Sequence, residues 1–111
     1  MRDTLFILGA PFEDQGEMWF CASCAMMEGA LLANPHWSAH IDVRRMPFPR
    51  PRQEMISLIG EANQGMPVLV LAHAASAPVE AKDHEGRRFL DEPKAIARYL
   101  AAAYDGAGPH P

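Results

Sequence analysis

The sequence predicts a single α/β domain in which four short strands alternate with three helices, in the order β-α-β-α-β-β-α. Three observations carry that reading. Thr4–Leu8 and Val68–Ala72 are continuous apolar runs bounded by Gly9 and Pro67, the pattern of strands buried on both faces. Three other stretches read as helices: the apolar run Ala22–Ala33 ended by Asn34-Pro35, and Arg52–Ile59 and the segment opened by Asp91-Glu92-Pro93, where apolar residues recur at helical spacing. Finally, 111 residues suffice for one hydrophobic core but not for two. Residues 1–111 are therefore read as one domain, with about 106–111 as a tail.

Composition narrows the function classes. The formal net charge of −4 argues against nucleic acid as the main partner. No apolar run approaches the roughly 18 residues that would span a membrane. Leu5-Phe6-Ile7-Leu8 is too short for a signal-peptide core, and Asp3 interrupts its basic flank. A cytoplasmic, reducing setting follows, in which a Cys-x-x-Cys pair serves catalysis, redox sensing or metal binding more readily than it staples a fold.

In order along the chain, Thr4–Leu8 reads as a central strand and Gly9–Phe20 as a loop carrying Pro11, Gly16 and the acids Glu13, Asp14 and Glu17. Trp19 and Phe20 close that loop, as a pair packing over the next helix or covering a thiol site. Helix one, Ala22–Ala33, is apolar on nearly every face and is expected to be buried against a sheet, ending at Asn34-Pro35. His40–Met46 alternates like a half-buried strand. Pro47–Arg52 is an extended, solvated connection, its arginines also admitting an anion site. A second helix over Arg52–Ile59 stops at Gly60. His73–Gly86 reads as a polar loop; His73, Asp83, His84 and Glu85 are better explained there as solvated charge than as a metal site. Arg87–Leu90 is expected to be an edge strand, and the last helix to bury Ala95, Ile96, Tyr99, Leu100 and Ala103.

The chemistry-bearing stretch is Phe20-Cys21-Ala22-Ser23-Cys24, which holds the only two cysteines, where a helix begins. Two intervening residues put both thiols within one helical turn. The first meets the free N–H groups and dipole of the helix N-terminus, which favour a thiolate. The second is shielded by the apolar run behind it. One exposed acidic thiol backed by a buried one is what thiol–disulfide exchange requires. Other readings stay open. A structural disulfide closing so short a loop adds about 2 kcal/mol at best. Zinc is suggested by Cys21, Cys24, His36 and His40, whose spacing is one residue off that of a zinc finger. Two chains pooling their pairs would make a zinc or iron–sulfur site. Buried cysteines also pack as small apolar residues without chemistry.

At three separated points the chain resembles the thioredoxin-like superfamily. Cys21 and Cys24 stand where thioredoxins and dithiol glutaredoxins carry their redox pair, and Met66-Pro67 looks like the X-cis-Pro beside it. Phe89–Leu100 resembles the last strand and helix of the glutathione-transferase N-terminal domain. Over its whole length the chain is also similar to a small bacterial family of this fold with no assigned function. The resemblance implies a thioredoxin-like domain with a central mixed four-stranded sheet flanked by helices. It also implies thiol–disulfide oxidoreductase activity, with Cys21 attacking and Cys24 resolving. A thiol or disulfide client protein, or a small thiol, would lie along Trp19, Phe20, Met66 and Pro67 and use backbone pairing at Met66. Glutathione would be a weak co-substrate, since Glu92 is followed by Pro93 where the transferases have a serine. No other cofactor is implied. The intervening Ala22-Ser23 lacks the proline of thioredoxin and glutaredoxin. A non-catalytic binding or redox-sensing module is the alternative reading, and nothing in the sequence specifies an oligomeric state.

Overall fold

All five residues of the first strand, β1 (Thr4–Leu8), are buried, as expected of an apolar strand with neighbours on both edges and layers on both faces. The computed structural model, which describes Met1–Pro111, continues with β2 (Phe12–Asp14), β3 (Glu17–Trp19), α1 (Ala22–Ala33) and β4 (Asp42–Met46). Then follow α2 (Gln53–Ile59), β5 (Val68–Val70), β6 (Lys82–His84), β7 (Arg87–Leu90) and α3 (Pro93–Tyr104). The main sheet has the order β4-β1-β5-β7-β6. β1 runs parallel to β4, from Thr4 opposite Asp42 to Leu8 opposite Met46, and every other pairing in the sheet is antiparallel. The result is a single α/β domain, as the sequence predicts, built on a mixed sheet.

Alternation along β1 sorts side chains into two layers. Leu5 and Ile7 join Cys24, Met27 and Leu31 of α1, Ile96 and Leu100 of α3, and the fully buried Trp37. Phe6 faces the other way, into a smaller cluster with Met55 and Ile59 of α2, and with Val68, Val70 and Phe89. Helices therefore cover both faces, α1 and α3 on one and α2 on the other.

Five details depart from the sequence reading. Gly9–Phe20 is not an open loop but contains the hairpin β2–β3, and the polar segment after β5 contributes β6. Both hairpins turn on two residues at positive φ, Gln15-Gly16 and Glu85-Gly86, as tight two-residue turns of this hand require. The sheet thus has five strands, and β7 is interior, with β6 at the edge. Because α1 shares its face of the sheet with α3, it buries only one stripe, Cys24, Met27 and Leu31; Leu32 is 83% exposed. In α3 the buried set includes Ala97, while Ala103 is exposed. The C-terminal segment is anchored where it begins. Asn34 donates from Nδ2 to Ala107 O (3.1 Å) and accepts from Ala107 N–H (2.7 Å), and Trp37 Nε1 donates to Asp105 O at 2.7 Å. Gly106, at φ +131°, permits this approach; a Cβ there would lie 2.5 Å from Asn34 Oδ1.

Candidate functional site

The β1–β5 ladder stops at Phe6 opposite Val68, because Pro67 offers no N–H to continue it. Past that point the Leu8 N–H turns to a sulfur, donating to Cys24 Sγ at 3.4 Å. Cys24 is 2% exposed, on the buried stripe of α1. Burial first, and then its hydrogen bond with Cys21, push its thiol up from 9.0 to about 12, while the bond from Leu8 opposes the rise.

Cys21 is the N-cap of α1. Its backbone is extended (φ −80°, ψ 118°), and its Sγ accepts from the Cys24 N–H at 3.2 Å, in the position a capping oxygen usually takes. It is half-buried, whereas Cys24 is enclosed. The two cysteines come within 3.1 Å of one another and both are free thiols. Met66 O lies 3.9 Å from Cys21 Sγ, and the Met66–Pro67 peptide bond is cis, as the resemblance implies. The fold therefore brings Cys21, Cys24 and Met66-Pro67 together from two distant stretches of chain.

Other expected site residues sit differently. Trp19 and Phe20 are 48% and 67% exposed, on the hairpin side. Trp19 Nε1 donates across the hairpin to Asp14 O at 3.1 Å. With Met18, Ala10 and Pro11 the pair lines an apolar recess of about 370 Å³. Glu92 is the N-cap of α3, one carboxylate oxygen accepting from Ala95 N–H at 2.8 Å. A separate cavity of about 400 Å³ shares Met66 and Pro67, but it opens on the α2 side, past Ile59, Val68 and Phe89, and neither cysteine lines it. Lys82 and Asp91, paired at 2.7 Å, line it as well. Nothing local in the sequence marks those two, because β6 and the end of β7 meet only in the folded sheet.

The arginine connection is not simply solvated. Arg52 is 6% exposed, its guanidinium donating to Gln64 O at 2.6 Å and to Phe48 O, and its backbone N–H to Gln64 Oε1 at 2.8 Å. It ties the segment before α2 to the approach to Met66-Pro67. Burial lowers its proton affinity, with the neighbouring Arg50 adding to the effect. The histidines of the zinc reading are spent elsewhere: His36 Nε2 meets Asp105 O at 2.8 Å and His40 stacks on Tyr104 at 5.3 Å. No three His, Cys, Asp or Glu side chains converge within the chain. No helix is long and apolar enough to cross a membrane.

The chain belongs to the family described as protein of unknown function (DUF3088), whose model matches residues 2–108. No curated protein and no solved structure matches it.

Proposed function

We propose that this member of the family carries out thiol–disulfide exchange on a thioredoxin-like domain, with Cys21 as the attacking thiol and Cys24 as the resolving one. One observation carries the reading. A half-exposed sulfur caps a helix and accepts a backbone N–H, with a second, enclosed sulfur one turn behind it. The donated N–H and the Met66 carbonyl fix where the Cys21 sulfur stands, at the mouth of the pair and within reach of a substrate.

In the first step Cys21 thiolate attacks a substrate disulfide. A new S–S bond forms to Cys21, and the substrate's other sulfur leaves as a thiolate that takes a proton. Cys24 then gives up its proton to solvent and attacks Cys21 Sγ, releasing the second substrate thiol. The substrate gains two electrons, the protein holds them no longer and carries a Cys21–Cys24 disulfide, and a dithiol reductant returns it to the starting state. Burial holds the Cys24 proton in the free dithiol, so Cys24 must give it up before it can attack. Met66 O, beside Cys21, suits backbone pairing with an extended substrate. Partners are then a disulfide-bearing client protein or a small thiol, and a reducing cytosol is the matching compartment. Glutathione binds weakly, since Glu92 is committed in part to its helix cap and Pro93 has no hydroxyl.

The test is brief treatment with a limiting amount of iodoacetamide, followed by peptide mapping. Cys21 is labelled first, and Cys24→Ser traps mixed disulfides that the unmodified protein resolves. Equal labelling at the rate of an ordinary exposed cysteine, with no trapped species, would overturn the exchange reading and leave a binding module.

A further inference from the structure

The hairpin ahead of the cysteines is more than a connection. Met18 is 62% exposed, Trp19 48% and Phe20 67%, three large apolar side chains in consecutive positions leading directly into Cys21. Isolated surface hydrophobics need no explanation, but a contiguous aromatic group beside a reactive sulfur does. The Trp19 indole is held by its bond to Asp14 O, so the shelf is built rather than loose. Its recess of about 370 Å³ is large enough for one bulky side chain of a partner.

Charge narrows the partner further. From Gly9 to Ala33 the chain carries Glu13, Asp14, Glu17 and Glu28 and no lysine, arginine or histidine. Glu28 is neutralised by Arg45 at 2.7 Å. Arg45 also lines the neighbouring cavity with Glu13 and Phe48, but its guanidinium is engaged by Glu28 on two atoms. Glu13, Asp14 and Glu17 form no ion pair. The hairpin surface that leads to the exposed thiol is therefore apolar and negative, while on the other side of the cysteine pair the buried guanidinium of Arg52 is taken up by the Gln64 and Phe48 carbonyls.

We infer that the substrate of this site is a polypeptide segment whose cysteine is flanked by bulky apolar and basic side chains, the apolar one seated in the Met18-Trp19-Phe20 recess. This rests on the exchange reading above and specifies its substrate class.

The experiment uses the full chain with Cys24→Ser, so that Cys21 is the single thiol. Its substrates are two synthetic peptides of one apolar sequence, each with its cysteine as a mixed disulfide to 2-thiopyridine, one flanked by lysines and the other by glutamates. Cys21 attacks the peptide sulfur, the bond to thiopyridine breaks, and thiopyridine leaves with the proton, so no outside oxidant is needed. The lysine peptide reacts about tenfold faster at low salt, and the ratio falls toward unity at about 0.5 M salt. Glu13→Gln with Asp14→Asn and Glu17→Gln lowers the ratio at low salt. The amide introduced by Glu13→Gln keeps an acceptor for the Gly16 N–H that Glu13 holds at 2.7 Å. Should that variant not fold, the salt dependence of the parent decides alone. Neutral 2,2′-dithiodipyridine separates the two readings. Sluggish reaction with it defeats exchange chemistry as a whole, whereas fast reaction with equal peptide rates defeats only the substrate assignment. A protein that sediments as a dimer, with Trp19 fluorescence insensitive to either peptide, would also overturn the assignment by showing a second copy on the shelf.

Discussion

The two ends of β1 hold polar chemistry of opposite kinds. At its start the Asp3 carboxylate is 6% exposed and fully engaged, accepting from the Ala72 N–H and the Tyr104 O–H, each at 2.7 Å. Tyr104 stacks on His40, and nearby Asn34 and Trp37 hold the C-terminal segment. At its finish a sulfur caps a helix half in solvent, and three large apolar side chains stand uncovered beside it. Each end has a cavity, about 360 Å³ beside Asp3 and about 370 Å³ at the hairpin, so size does not tell them apart. Satisfaction does. Groups that have found partners inside the protein stabilise the fold and are unavailable for chemistry, whereas unspent groups are where a substrate finds purchase.

The two ends should therefore fail differently. The largest effect is expected at the finish. Cys21→Ser should lower disulfide exchange by at least about a thousandfold, because the attacking atom is gone, while the unfolding midpoint stays near that of the parent. Retained exchange in that variant, measured with a neutral aromatic disulfide, would erase the distinction between the two ends.

Next in size is Trp37→Ala. Trp37 is completely buried between α1, α3 and the C-terminal segment, so truncation should cost about 3–5 kcal/mol in urea unfolding. Asp3→Ala follows at about 1–3 kcal/mol, since it leaves the Ala72 N–H and the Tyr104 O–H without their acceptor. In both variants, under conditions where the protein is folded, iodoacetamide should still find Cys21 at the parental rate. A changed rate would show that the closed end governs the open one.

Alkaline pH sharpens the same contrast. Cys24 is raised by burial from 9.0 to about 12, and Tyr104 and Tyr99 are raised above 10.0 by burial and by Asp3. Above pH 9 the unfolded chain therefore loses protons that the native chain keeps, so stability should fall as pH rises from 9 toward 12. Circular dichroism at fixed denaturant measures the slope, and Cys24→Ala should flatten its first part. Resolution of the Cys21 mixed disulfide in the parent protein, followed by stopped-flow release of the substrate thiol, should speed up as pH rises and the Cys24 proton is lost. The smallest effect belongs to Trp19→Ala and Phe20→Ala, each expected within about 0.5 kcal/mol of parental stability. A larger loss would mean that the shelf is part of the core.

Much of this arrangement was legible along the chain because it rests on local rules. The apolar run bounded by Gly9 marked β1, and Asn34-Pro35 marked the end of α1. Two cysteines spaced one turn apart at a helix start announced both the more exposed thiol at its entrance and the enclosed partner, though not that the first sulfur caps the helix. The acid and proline before Lys94 likewise marked the start of α3, although Glu92 serves there as a cap. The short turns Gln15-Gly16 and Glu85-Gly86 were harder to see. Each puts a residue with a side chain at positive φ without the asparagine or aspartate that usually signals it, and only strand pairing makes that worthwhile.

The sequence by itself determined which residues form β1, α1 and the dithiol, since propensity, periodicity and capping act over a few neighbours. Tertiary structure alone decided that Arg52 is buried against the carbonyls of Phe48 and Gln64, that α1 shows Leu32 to solvent, and that Trp19 and Phe20 stand clear of the core. Each of those outcomes depends on partners many residues away, or on α3 occupying space that α1 would otherwise cover. Burial is a property of what arrives on the other side of a side chain, and a one-dimensional pattern carries that information only where the neighbours are also near in sequence.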